Sequence, residues 1–293
     1  MSSMNETKPS SMDSTPSPSP KSTIKIDHRT KRSIPTWLLH HMIRPFGPML
    51  ITAKKEYAAG SPQLKPYMTA KWRCNITERK VEDMYLYDLF PKRTTIDTRG
   101  RGTERRKRIY YFAGGGWQMP ASSDHWPLAP NSPAPVAFDP LIKLYRRLLQ
   151  DATEAGEDVI LAGDSAGGNV VLCLTLNALA VDSTLPAPKA LMVLSPSCDL
   201  TRDNPDIKAL EHPLFAEVSS LARKGVQVHG VFGRYDILSP DAVLFRDKCE
   251  QAGVRGEWLD WEKQMHVFPL AYPYMLPESV AAKKWVMDVL RRT

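Results

Sequence analysis

The chain has 293 residues, 42% of them hydrophobic, which is enough for one large α/β domain with a substantial core. Its net charge is +7, yet the basic residues are scattered, and the one dense run, Arg105-Arg106-Lys107-Arg108, reads as a solvated strand entrance, which argues against nucleic-acid binding. Cys74, Cys173, Cys198 and Cys249 form no C-x-x-C pair and have no metal-ligand spacing, so they read as reduced thiols of an intracellular, cytoplasmic protein.

Residues 1–30 are rich in Ser, Pro, Thr and Lys, cannot bury a core, and are expected to be a disordered tail preceding a domain over 31–293. They hold no apolar signal-peptide core and no cleavage site, so secretion is not expected. The stretch from Trp37 to Leu50 is apolar but broken by Arg44, Pro45 and Pro48, and it is too short to span a bilayer. It reads as a helix over a substrate pocket; a helix lying on a membrane surface is the alternative.

Trp72 to Val81 and Met84 to Phe90 alternate well enough for an antiparallel pair turning at Glu82-Asp83. A buried strand, Arg108 to Phe112, then runs into Ala113-Gly114-Gly115-Gly116-Trp117. No G-x-G-x-x-G and no Gly-Lys-Ser/Thr is present, so a nucleotide loop is not indicated. Glycines here instead suit a loop whose backbone approaches a carbonyl closely and turns N–H groups toward a developing oxyanion.

The chain is organised around Val159-Ile160-Leu161-Ala162-Gly163-Asp164-Ser165-Ala166-Gly167-Gly168, followed by an apolar helical pattern from Asn169 to Val181. Strand, sharp turn and helix with a serine at the apex make the G-x-S-x-G match a nucleophile elbow. Small residues on either side let strand and helix pack around a strained serine, and the helix N-terminus favours negative charge beside it.

Together with Arg234-Tyr235-Asp236-Ile237-Leu238 and Lys263-Gln264-Met265-His266-Val267-Phe268, these motifs make the chain resemble the hormone-sensitive-lipase-like branch of the α/β-hydrolase superfamily (α/β hydrolase fold-3) over about residues 35–293. The fungal intracellular members look most similar. The resemblance implies an α/β fold with a mostly parallel sheet of eight strands, an N-terminal cap, and esterase chemistry with no cofactor or metal. Asp236, on the loop after the strand Val226 to Gly233, matches the family's acid position. Asp241 opens the next helix, Ala242 to Ala252, where a carboxylate is ordinary capping. His266, after the strand Glu257 to Glu262, matches the family's histidine, and the order Ser165, Asp236, His266 is that of the superfamily. The implied roles are nucleophile, acid and base respectively, with the N–H groups of Gly114, Gly115 and Ala166 as the oxyanion hole. Asp164 reads as a structural hydrogen-bonding group, His229 as a sheet-face residue, and His125 and His212 as loop residues.

The chain departs from the family in three places. Ala113 stands where the family has a histidine before the glycines. Residues 117–139 run from the oxyanion loop straight into Pro127-Leu128-Ala129-Pro130, which implies that a helix and a central strand, about 20 residues, are missing by comparison. Residues 199–221 look compressed where a cap helix is usual. Without that strand, the antiparallel pair either docks on Ile109 to Phe112 or leaves an open sheet edge. The favoured reading is a serine carboxylester hydrolase for a small or mid-sized apolar ester. An impaired or ligand-binding member of the same fold, and an amidase or arylformamidase, remain as alternatives. The substrate and the oligomeric state are not legible.

Overall fold

Apolar runs too continuous to leave a face in water build the centre of this protein. In the computed structural model, which describes residues 22–46, 63–66, 68–92, 105–116, 138–198 and 218–293, these runs form one sheet. Its strands are β1 (Ile24–Arg29), β4 (Lys107–Phe112), β5 (Asp158–Asp164), β6 (Ala190–Leu194), β7 (Gln227–Gly233) and β8 (Gly256–Trp261). They lie in the order β1-β8-β7-β6-β5-β4, and every pairing is parallel. Because all the strands point the same way, their carboxyl ends share one edge, where ligand crevices form in open α/β sheets.

The inner strands are covered on both sides, as a parallel sheet requires, whereas Ile26 of β1 and Ile109 of β4 are exposed at the edges. Val159, Leu161, Leu191, Val193, Val228, Phe232 and Trp258 face one core, with α3 (Phe138–Glu154), α4 (Ser165–Val181), α5 (Val218–Arg223) and α6 (Ser239–Gln251). Ile160, Ala162, Met192, Leu194, Val231, Leu259 and Trp261 face the other, under α7 (Pro277–Arg292). The period-two alternation along each strand divides them.

Four sequence expectations change. The sheet has six strands among the described residues, not eight. The tail ends earlier than residue 30, because Ile24–Arg29 pairs with Gly256–Trp261 as an edge strand; residues 1–21 lie outside the described residues. Trp72 belongs to a short helix, α2 (Met68–Arg73), so β2 starts at Cys74 (Cys74–Val81) and pairs with β3 (Met84–Pro91). The helix expected from Ala242 begins at Ser239, which puts Asp241 inside its first turn.

The β2–β3 pair is a separate two-stranded sheet, and β4 ends the main one. Glu82 and Asp83 have φ of 47° and 63°, the two left-handed residues of a tight hairpin turn whose twist suits the strands. Met84 and Leu86 anchor the hairpin in the core shared with Leu141 and Leu148. Arg79 bonds Asp88 at 2.7 Å and lies 3.9 Å from Asp151 of α3. The stretch around Pro127 and most of residues 199–221 fall outside the described residues.

At the amino end of the domain, α1 (Ile34–Ile43) follows β1 and continues into a 3-10 turn, Arg44–Phe46. Glu278 in the first turn of α7 accepts from the Ser33 amide, the Ser33 hydroxyl and the Thr36 hydroxyl, which ties α1 to α7. No helix among the described residues is long and apolar enough to cross a membrane.

Two packing details generate predictions. A Cβ on Gly167 would lie 2.0 Å from the Phe112 carbonyl oxygen, and one on Gly163 would lie 2.5 Å from the Gly167 oxygen. Gly167→Ala therefore has to push α4 off β4, and it is expected to cost roughly 3 kcal/mol in urea unfolding. His229 is buried between β7 and β8, accepting from the Glu257 amide at Nδ1 and meeting Thr293 Oγ1 at Nε2, 3.2 Å away. Burial lowers its pKa from 6.5 to about 4. The folded state thus refuses a proton that the unfolded chain takes up. Its contribution is fully present above pH 6.5 and is lost as pH falls toward 4, an effect of about 3 kcal/mol. Urea midpoints measured across that window should fall steeply for the native chain and much less for His229→Asn.

Candidate functional site

Three strands deliver three side chains to the shared carboxyl edge. β5 ends at Asp164, and Ser165 follows with φ of 51°, a left-handed conformation unfavourable for any residue with a Cβ. It is held because α4 starts at once and cannot retreat from β4 and β5. After β7 the chain turns through Asp236, whose Oδ1 accepts from the Leu238 amide at 2.9 Å. After β8 it turns through His266.

The structure brings the three together. His266 Nδ1 lies 2.7 Å from Asp236 Oδ2, and His266 Nε2 lies 2.9 Å from Ser165 Oγ. The Asp236 carboxylate only accepts, so Nδ1 carries the proton and Nε2 is left to accept from the serine hydroxyl. Such a chain lets a hydroxyl pass its proton to the imidazole as it attacks an electrophile. The Asp236 side chain is buried, whereas that of His266 is 39% exposed, so the imidazole reaches toward solvent and the carboxylate does not. Asp241, on the helix beyond, is not part of this chain of bonds.

The loops that carry Asp236 and His266 are sewn together. The Arg234 amide donates to Trp261 O and the Tyr235 amide to Gln264 O, both at 3.0 Å. Arg234 also forms a two-pronged ion pair with Asp260 of β8, with Nε 2.7 Å from Oδ1. This bond, more than the nearby acidic charges, raises the Arg234 pKa. Arg246 Nη1 lies 3.6 Å from the same buried carboxylate.

One expected oxyanion donor has a protein partner. The Gly114 amide is spent on Asp164, donating to Oδ1 at 2.9 Å, and Tyr111 donates its hydroxyl to the same oxygen at 2.7 Å. Burial, followed by the Asp164 charge, pushes the Tyr111 hydroxyl well above its ordinary pKa. Asp164 thus fixes the glycine loop to the serine turn. Gly115, at φ of 150°, is partly exposed, and Ala166 opens α4, where helix amides lack intrahelical partners.

Of the other residues singled out, His229 lies in the sheet interior, and His125 and His212 lie outside the described residues. Trp37, Leu38 and Met42 are exposed on α1, which adjoins the acid loop where Arg32 stacks over the Tyr235 ring at 5.5 Å. Cys173 is buried, which pushes its thiol up to about 12, and burial also raises Cys249. Among the described residues no group of three or more His, Cys, Asp or Glu side chains could hold a metal ion. Sequence reasoning passed over Ser195 and Ser197, which bond to both the base and nucleophile turns. Their stretch, Ser195-Pro196-Ser197, matches no motif.

Comparison with known proteins agrees with this architecture. Residues 116–227 match the family described as alpha/beta hydrolase fold. An esterase of Acinetobacter venetianus is 28% identical over 191 residues, 53% of this chain and 61% of that protein. An acetyl-hydrolase of Streptomyces hygroscopicus is 29% identical over 184 residues, 53% of this chain and 59% of that protein. The chain therefore spans about three fifths of the length of these relatives. Among solved structures, an esterase/lipase from an uncultured bacterium aligns with a TM-score of 0.61 at 19% identity, covering 89% of this chain and 98% of that one. Carboxyl esterase 2 of the fungus Tuber melanosporum aligns with a TM-score of 0.61 at 16% identity, covering 87% and 97%. With a parallel sheet, a serine at the strand-to-helix turn and this sequence match in agreement, the chain is an α/β-hydrolase-fold protein.

Proposed function

We propose that the chain is a serine carboxylester hydrolase of the hormone-sensitive-lipase-like branch, acting on a small or mid-sized apolar ester. The observation that carries this reading is the unbroken relay from Ser165 Oγ through His266 to Asp236, with spacings of 2.9 and 2.7 Å. That two relatives are an esterase and an acetyl-hydrolase supports the same chemistry.

On this reading Ser165 Oγ attacks the ester carbonyl while His266 Nε2 takes its proton, and the tetrahedral intermediate forms. Its oxyanion is received by the Ala166 amide at the head of α4, where the helix N-terminus favours negative charge, and by the Gly115 amide of the loop after β4. Gly114 contributes indirectly, since its amide is committed to Asp164. The imidazolium returns its proton to the leaving alcohol, and the acyl group remains on Ser165. A water molecule, deprotonated by the same nitrogen, attacks the acyl carbon, and the acid is released as the bond to Ser165 Oγ breaks and the imidazolium returns the proton to that oxygen. Asp236 stays ionised throughout, holding the tautomer and the positive charge.

Ser165→Ala and His266→Ala are each expected to lower p-nitrophenyl ester turnover by about three orders of magnitude or more. Asp236→Asn should be comparably severe because it favours the wrong tautomer, whereas Asp241→Asn should keep most activity. A fluorophosphonate should label Ser165, located by peptide mass spectrometry, and the label should vanish in Ser165→Ala. Loss of activity in Asp241→Asn with retention in Asp236→Asn would refute the assigned acid.

A further inference from the structure

The strand between the nucleophile's strand and the acid's strand contributes no group to the relay. β6 lies between β5 and β7, and it ends in the turn Ser195-Pro196-Ser197. This turn bonds to Ser165 and to the residue that follows His266. The Ser197 amide donates to the Ser165 carbonyl at 3.2 Å, and the Ser197 carbonyl accepts from Asn169 Nδ2 of α4 at 2.7 Å. On the other side, Ser195 Oγ accepts from the amide of Val267, the residue after His266, at 3.0 Å.

Both partners of that last bond are in uncommon conformations. Ser195 is buried with φ of 44°, its amide bonded to Val231 O at 2.7 Å. Val267 has φ of 46°, and a β-branched residue there is a true outlier that persists only where its surroundings hold it. The following 3-10 turn holds the Val267 carbonyl, which accepts from the Leu270 amide at 2.9 Å, but the Phe268-to-Met265 bond leading into it is long, at 3.4 Å, and the Val267 N–H is held by Ser195. With 39% of its side chain exposed, His266 is not locked by packing either.

We infer that Ser195 is a positioning residue: its hydroxyl grips the Val267 amide and so keeps the His266 imidazole in line between Ser165 and Asp236. The inference rests on the esterase reading for its kinetic consequence but not for its geometry. Fixing the Val267 N–H fixes the peptide plane that leaves His266, and with it the direction of the Cα–Cβ bond. Because Ser197 holds the Ser165 carbonyl, a single rigid turn sets the distance between nucleophile and base.

The test separates the hydroxyl from the strained backbone. Ser195→Gly removes the acceptor while relieving the left-handed strain, so it should fold at least as well as the native chain in thermal unfolding. Its kcat should nevertheless fall about 10- to 100-fold with KM within about twofold, the cost of misplacing a reacting group by a fraction of an ångström to an ångström. Ser165 labelling by fluorophosphonate should slow in parallel. The acid limb of the kcat profile should move to lower pH, because an imidazolium less well seated on Asp236 is less stabilised. Ser195→Thr keeps a hydroxyl but puts a β-branched residue at φ of 44°, so its melting temperature should fall while the kcat of the folded chain stays within about threefold of native. A readout independent of substrate is the NMR resonance of the proton between His266 Nδ1 and Asp236. It should persist in Ser195→Thr and be lost to exchange in Ser195→Gly. A folded Ser195→Gly chain with native kcat and an unchanged resonance would overturn the inference. A native chain that turns over no ester yet loses this resonance in Ser195→Gly would overturn the esterase reading and leave the brace standing.

Discussion

Where α4 leaves β5, backbone meets backbone with no room for a side chain. A single methyl on Gly167 would lie 2.0 Å from the carbonyl oxygen of Phe112. That contact forces the serine turn into its left-handed apex and aims the first turn of α4 at the sheet's carboxyl edge. It also sets the end of β4 against Asp164, whose carboxylate then captures Tyr111 and Gly114. A loosened contact would displace the apex, the helix N-terminus and the glycine loop together. The arrangement costs conformational energy at Ser165, and the packing of two core layers offsets it.

Asp236 and His266 have a different kind of support. Their loops are short and exchange backbone hydrogen bonds, so neither moves without the other. The Arg234–Asp260 pair extends this connection into the sheet. Removing a carboxylate as deeply buried as Asp260 from water is costly. Two guanidinium groups and a two-pronged bond offset that cost and fix the direction from which the Asp236 loop departs. Charge here specifies geometry rather than adding much net stability.

The sheet edge is the least ordinary part of the fold. With β4 terminal and the β2–β3 hairpin in a sheet of its own, the strand leading into the glycine loop has a parallel ladder on one side only among the described residues. The hairpin is held by the burial of Met84 and Leu86 and by ion pairs of Arg79 rather than by strand pairing with β4. The glycine loop consequently leans on the Asp164 carboxylate, which explains why a buried acid sits beside the nucleophile without joining the relay.

Much of this was legible in the chain itself, because some features are local. The apolar run ending in Gly-Asp-Ser-Ala-Gly encodes strand, turn and helix through residue size and periodicity alone, and β5 and α4 follow it. The runs before Asp236 and His266 likewise announce two further strands. Ile24–Arg29 was hidden, since Lys25, Asp27 and Arg29 read as a polar tail until β8 offers an edge to pair with. The commitment of the Gly114 amide was equally hidden, because a glycine loop shows that backbone will approach something but not which oxygen lies there. Ser195 carries no motif at all. Its hydroxyl meets Val267 across 72 residues of chain only because β6 lies between β5 and β7. Local sequence determined which segments could become strand, elbow and helix. Strand order, a property of the whole sheet and of no single segment, decided which of their ends would touch.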